Sequence, residues 1–370
     1  MLKVLMVTGS LRVGGLEKVA LSCVQYADCD RVKFDFLVFD NESGGYEEKA
    51  MALGCRVLRI KGPSSGYYSF YKNVCGIIKE NGPYDIVHSH TFFNSGIVLM
   101  AAKACGVQKR IAHSHSIKRK GHLGLPKRVY NMIMRKLIVR YATDFCACSE
   151  AAGSYLFGKK VSSRLIIVPN IIDFAKFMFS DSDRRTIRQE LNFKLNDKIV
   201  GFVGHLTPVK NPLFIVKIAE TFSFRTDVRF LIVGDGPLRG ELEKRINEKN
   251  LKDKIILTGI RNDVQRIMSA LDLLICPSLN EGLGIVLLEA QANGLISIAE
   301  KTAIVKEVSN LNGCQLINGF DNLDLWKGAI NQFLDKGHSM ALVEVVKKSK
   351  FTPKELESVL HTIYGYEEIA

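Results

Sequence analysis

The chain has 370 residues, 47% of them hydrophobic and 24% charged, with a mean hydropathy of +0.07. This composition excludes a disordered, collagenous or disulfide-stapled protein and supplies enough apolar side chains for two cores rather than one. Of the net charge of +13, nearly all lies in residues 86–143, which hold eleven basic residues and no acid; the remainder carries 40 basic against 38 acidic residues.

From the N-terminus, MLKVLMVTGSLRVGG begins with a short apolar run that stops at glycines without a small-residue cleavage site, so it reads as strand and turn, not as a signal peptide. Short β-rich runs then alternate with longer helical patterns. Strands are predicted over 2–8, 33–39, 56–60, 85–88, 109–113, 144–148 and 164–168. After Val168-Pro169-Asn170 and an irregular stretch to Asp183, a second set is predicted over 199–204, 229–233, 255–258, 273–276, 296–299 and 314–317. This alternation predicts an α/β protein of two doubly wound, Rossmann-like domains. The expected boundaries are 1–170 and 171–352, followed by a polar, helical tail, 353–370, packing across the other two. Both halves open alike, as VLMVTGSLRVGGLEKVALSCV and IVGFVGHLTPVKNPLFIVKIA: a buried strand, a glycine-bearing turn, a helix. Facing one another, two such units share a cleft outside the carboxyl ends of their strands. No apolar run reaches bilayer-spanning length, so membrane contact is expected to be peripheral. The nine cysteines are scattered without paired zinc spacing and read as reduced thiols in a cytoplasmic protein.

In the first half, Gly14 and Gly15 occupy the turn between the first strand and its helix. Five of the eight histidines fall between 88 and 122, and HSH at 88–90 and 113–115 puts like-facing imidazoles at strand ends. The segment offers no carboxylate to orient a zinc site, so no metal is expected, and His88, His90 and His113 read as core or turn residues. The basic stretch 109–140 includes Lys118, Arg119, Lys120, Lys127 and Arg128, and its helix, predicted from Pro126, is amphipathic. Such a helix suits an anionic membrane surface. No nucleic-acid-binding motif accompanies the charge, so no nucleic acid is expected as partner.

In the second half, VGHLTPVKN sets Lys210 before a helix that Asn211 can cap and Pro212 can start, which suits a diphosphate. VGDGP supplies Gly234 and Gly236, which admit a nucleotide close to the backbone. In ICPSLNEGLGIVLLEAQANG a strand ends at Pro277, a loop carries Glu281 and Gly282, and a helix runs to Gly294. Glu289 follows Gly282 by seven residues, two helical turns, and lies near the face where the loop enters. The N–H groups of Gly282, Leu283 and Gly284 can bind anionic oxygens while both carboxylates accept sugar hydroxyls.

The pattern P-S-x-x-E-G-[LF]-[GP]-x-x-x-x-E-A at 277–290 resembles the retaining family 4 glycosyltransferases of the GT-B fold. GGLE at 14–17, the two HSH triplets, CSE at 148–150, VPN at 168–170, VGHLTPVKN at 203–211, VGDGP at 233–237 and GIRNDV at 259–264 extend the likeness along nearly the whole chain. It is strongest to bacterial enzymes that build capsular or exopolysaccharide repeat units. The resemblance implies an N-terminal acceptor-binding domain and a C-terminal nucleotide-sugar-binding domain. It assigns Lys210 and the residue at His205 to the donor diphosphate, and the Gly14 and Gly15 turn to the transferred sugar and diphosphate. It sets Gly234, Gly236 and the segment from Arg261 to Asp263 by the base and ribose. His115 is expected to face the reacting sugar, Glu281 to contact it, and Glu289 to contact the ribose or a nearby sugar. The family usually has arginine where this chain has His205; a neutral imidazole gives one hydrogen bond where a guanidinium gives two charged ones.

The expected reaction is front-face, retaining transfer from a UDP-sugar to a lipid-linked saccharide at the inner face of the cell membrane. It needs no cofactor beyond the donor, with Lys210, His205 and helix N-termini assisting phosphate departure. A nucleotide-sugar epimerase or hydrolase of the same fold, or an inactive sugar-binding homologue, are the alternatives open on sequence.

Overall fold

The computed structural model describes all residues except 13, 41, 43, 116–123, 195, 282, 304–307, 309, 310 and 367–370. The chain divides into two compact units, one of Met1–Ile171 with Pro353–Ala370 and one of Ile172–Thr352.

Among the described residues the first unit is built on seven strands: β1 (Leu2–Val7), β2 (Val32–Val38), β3 (Arg56–Arg59), β4 (Ile86–Ser89), β5 (Lys109–Ser114), β6 (Asp144–Ala147) and β7 (Leu165–Ile167). They lie in the order β3-β2-β1-β4-β5-β6-β7, and every pair is parallel. A parallel sheet is covered on both faces, which is why LKVLMV is apolar almost throughout. Val4 and Met6 enter the core on one face, Leu5 and Val7 that on the other.

Among the described residues the second unit has six strands: β8 (Lys198–Val203), β9 (Val228–Val233), β10 (Ile255–Gly259), β11 (Leu273–Cys276), β12 (Ser297–Glu300) and β13 (Cys314–Ile317). Their order is β10-β9-β8-β11-β12-β13, again all parallel. Arg184 and Arg188, on the helix Asp181–Glu190, each donate to Asp272 at 2.6 Å, and Asp272 also accepts the Ile199 N–H at 2.7 Å. That network clasps the N-terminal ends of β8 and β11, the edge opposite the loops described below.

All the predicted strands are present, none displaced by more than one residue at either end. The tail contributes to the first unit's core. Leu356, Leu360, Ile363 and Tyr364 of the helix Pro353–Tyr364 belong to the first unit's core together with Val4, Phe36 and Ile111. Their spacing of three to four residues gives that helix an apolar stripe, which the polar residues between had obscured. Among the described residues no helix is long and apolar enough to cross a membrane.

Candidate active site

In the second sheet the chain leaves β8 toward β9 and β10 on one side, whereas β11 leads to β12 and β13 on the other. Loops diverge at such a switch point, and the opening between them is where open α/β sheets hold ligands. The loop after β8 carries His205 and Lys210, and the loop after β11 carries Glu281. The two are tied by the Leu279 N–H, which donates to the Val209 carbonyl at 2.8 Å.

Lys210 and Glu281 meet there. The Lys210 Nζ donates to both carboxylate oxygens at 2.7 Å. The Ser278 hydroxyl donates to Glu281 Oε1 at 2.5 Å, and the Cys276 thiol lies 3.6 Å from the same oxygen. Glu281 is 6% exposed, and a buried carboxylate is costly unless paired. Burial is the largest influence and pushes the Lys210 ammonium toward neutrality; the Glu281 charge and hydrogen bonds, with Cys276, together exceed it, so its pKa is raised and the cation is retained. The Cys276 thiol, pushed up to about 12 by burial and by Glu281, stays protonated. The result is a fixed cation and a fixed anion, suited respectively to phosphate oxygens and sugar hydroxyls. Sequence reading named Lys210 and Glu281 separately, not their contact, and missed Ser278 and Cys276, although Ser278 stands three residues before Glu281.

Around this pair the expected helix cap needs revision. Asn211 does not cap the following helix: it adopts φ +53°, its N–H donates to the Thr207 carbonyl at 3.1 Å, and the helix Leu213–Thr221 is preceded by Pro212. Gly234 and Gly236 have φ of +133° and +159°, and their close neighbour is protein backbone. A Cβ on Gly234 would stand 2.0 Å from the Gly204 carbonyl oxygen, and one on Gly236 2.7 Å from that of Leu206. The Leu206 N–H donates to the Asp235 carbonyl and the Leu238 N–H to the Leu206 carbonyl, each at 3.0 Å, zipping the loops after β8 and β9 together. Arg261 is already held by two carboxylates, with its fork on Asp263 at 2.8 and 2.8 Å and a further pairing to Glu190. His205 is exposed. Glu289 is half-buried on the helix Ile285–Ala292; Leu283 is buried, Gly284 opens the helix at φ +78°, and Gly282 lies outside the described residues.

In the first sheet the corresponding switch point falls between β1 and β4. Gly14 is extended and precedes the helix Gly15–Gln25, and a Cβ there would stand 2.4 Å from the Glu17 carboxylate. At the carboxyl ends of β4 and β5 the histidines form a connected group. His88 Nδ1 hydrogen-bonds the Tyr364 hydroxyl at 3.0 Å, and its Nε2 lies 3.1 Å from His113 Nδ1. His90 Nδ1 lies 2.7 Å from His115 Nε2. Burial pushes all four imidazoles down, His88 and His115 to about 3, so they are neutral at pH 7. His88, His90 and His113 are buried, and His115 is partly exposed just past β5. Tyr364 carries no signal in the sequence, being 276 residues from its partner.

Residues 13–176 match the family described as Glycosyltransferase Family 4, and residues 183–348 match Glycosyl transferases group 1. The glycosyltransferase EpsF of Bacillus subtilis (strain 168) is 33% identical over 335 residues, 89% of this chain and 86% of its own length. An Escherichia coli UDP-Gal:alpha-D-GlcNAc-diphosphoundecaprenol alpha-1,3-galactosyltransferase is 30% identical over 299 residues, covering 76% of this chain and 71% of its own. The crystal structure of Anabaena HepE in complex with UDP and glucose has a TM-score of 0.83 at 19% identity, covering 99% of this chain and 100% of its own. Two parallel, doubly wound sheets of this kind define the GT-B class of α/β proteins. Within that class, the chain belongs to glycosyltransferase family 4.

Proposed function

We propose that this glycosyltransferase moves a sugar from a UDP-sugar to a lipid-linked saccharide, with retention of anomeric configuration, during assembly of a surface polysaccharide. The observation that carries the reading is the Lys210 ammonium held on both oxygens of Glu281 at a sheet switch point. Donor and acceptor class are supported by the UDP complexes of HepE and by the diphosphoundecaprenol-linked substrate in the name of the galactosyltransferase relative.

In this reading the Lys210 ammonium shares its charge with the departing diphosphate, where a positioned cation lowers the barrier by stabilising developing negative charge. His205 and the backbone N–H groups of Leu283 and Gly284 assist it, while Gly14 and Gly15 leave room for the sugar and diphosphate. Glu281, held by Ser278, accepts hydroxyls of the transferred sugar; Glu289 accepts from the ribose or a nearby sugar. Gly234, Gly236 and the segment around Arg261 border the nucleotide base, with Arg261 itself acting as a buttress between Glu190 and Asp263. His115, neutral, offers the reacting sugar a ring nitrogen. The helix Leu125–Tyr141 exposes Leu125, Val129, Met132 and Ile133 beside Lys127, Arg128, Lys136 and Arg140, a surface suited to the inner face of an anionic membrane. Lys118, Arg119 and Lys120 lie outside the described residues.

The test is UDP release with membrane extract as the acceptor source. Glu281→Gln and Lys210→Ala are each expected to lower turnover about 100-fold; unchanged turnover in both removes the assignment.

A further inference from the structure

The histidine group of the first unit contains three buried ring nitrogens without a hydrogen-bond partner among the described residues: His90 Nε2, His113 Nε2 and His115 Nδ1. A buried polar atom left in that state costs about 1–3 kcal/mol, and the one on His90, whose ring centroid is 4.3 Å from that of His88 and 4.7 Å from that of His113, calls for a physical account. Strand pairing brings the rings together. His88 is in register with Ile111 on the neighbouring parallel strand, so His88 and His90 on one chain segment and His113 and His115 on the next share a face at alternate positions. The ring centroids of His88, His90 and His113 are 4.3, 5.3 and 4.7 Å apart, and one ring nitrogen from each lies within 4.8 Å of the other two.

We infer that His88, His90 and His113 form a binding site for a divalent transition-metal ion of the imidazole-preferring class, for which Zn2+ is the probe. Imidazole nitrogens are favoured ligands of such ions, and three with an open fourth position is an established coordination set. The expectation against a metal rested on the lack of an orienting carboxylate in residues 86–143. The structure supplies that orientation from other groups. The outer nitrogen of His88 is held by the Tyr364 hydroxyl, from the C-terminal helix, and the Nδ1 of His90 is held by His115. A ligating histidine uses its far ring nitrogen in this way, which fixes its tautomer and leaves the near lone pair for the ion. Burial keeps the rings neutral, the form that ligates. His88 Nε2 and His113 Nδ1 are 3.1 Å apart, against about 3.4 Å for two nitrogens on one tetrahedral zinc, so small ring rotations complete the set. With three neutral ligands the ion keeps its charge, and its open position takes water or hydroxide.

The test uses the full chain, purified without a histidine tag and stripped with a chelator, titrated with Zn2+ against a chromophoric competitor. One ion per chain is expected, together with the visible d–d absorption of a tetrahedral site when Co2+ is used instead. His90→Leu and His113→Leu should each weaken binding at least about 100-fold, and Tyr364→Phe, which keeps the packed ring and removes only the orienting hydroxyl, about 10-fold. Circular dichroism checks the fold of each variant; if the leucine variants fail it, Tyr364→Phe decides. No saturable binding by the parent chain, or binding unchanged in the folded variants, overturns the site.

Discussion

Lys210 and Glu281 show how a single contact sets both charge and shape. Glu281 is buried and tolerable as an anion because Lys210 neutralises it, and Lys210 remains a cation because the Glu281 charge and hydrogen bonds, with Cys276, together exceed its desolvation. A charge balance of another kind operates at Asp35, which accepts the Arg56 fork at 2.9 and 2.6 Å and the Tyr84 hydroxyl at 2.6 Å. Burial pushes the Asp35 carboxyl up, but these hydrogen bonds prevail and hold it below its ordinary value. The unfolded chain therefore takes up the proton first on acidification. The contribution is complete above about pH 4 and is lost as pH falls through the lower folded value. Asp35→Asn is expected to lower stability at neutral pH by about 1–3 kcal/mol and to flatten the acid limb of the stability profile, measured by urea unfolding at a series of pH values. Lys210 and Glu281 were each legible as candidates because they sit in motifs with fixed spacing, but their contact, 71 residues apart in sequence, was not. Asn211 was misread because a capping residue and a left-handed turn residue have the same composition signal; asparagine suits both.

At the scale of elements, periodicity and glycine placement located the strands well, because buried parallel strands read as apolar runs closed by turn residues. What these signals omit is the neighbour each turn will meet. Gly234 was expected to yield to a nucleotide, yet its missing side chain first accommodates the Gly204 carbonyl. Gly234→Ala, combining a positive φ with a 2.0 Å clash, should therefore lower stability by about 2–4 kcal/mol, read as a drop in Tm even without nucleotide. The helix Leu125–Tyr141 gives a second expectation at this scale. Met134 and Ile138 of it are buried and Tyr130, Leu137 and Tyr141 pack against the core, so the exposed Leu125, Val129, Met132 and Ile133 do little for the core. Replacing Lys127, Arg128, Lys136 and Arg140 by glutamine is expected to reduce flotation with anionic vesicles by about 10-fold or more, since each basic residue contributes about 1 kcal/mol at such a surface. Equal flotation of parent and variant would refute membrane docking through this helix.

For the whole molecule, the division near residue 171 was legible in the restart of the strand-turn-helix pattern, but the tail's allegiance was not. Amphipathic spacing says that a helix packs; it does not say on what. Leu356, Leu360, Ile363 and Tyr364 are all 2% exposed or less, so together they bury on the order of 8 kcal/mol of apolar free energy, comparable to the net stability of a domain. Truncation after Thr352 is expected to unfold the first unit while sparing the second, whose cores contain none of these residues. Limited proteolysis would show this as cleavage confined to residues 1–171.

That tail also dictates a schedule for synthesis. The last strip of the first unit's interior leaves the ribosome only after every residue of the second unit has been translated, so the segment made earliest cannot close until the segment made next is finished. The nascent first unit must wait with an open groove, a span in which a chaperone would find it and in which a stalled or prematurely ended message would yield a chain with its second unit whole and its first incomplete.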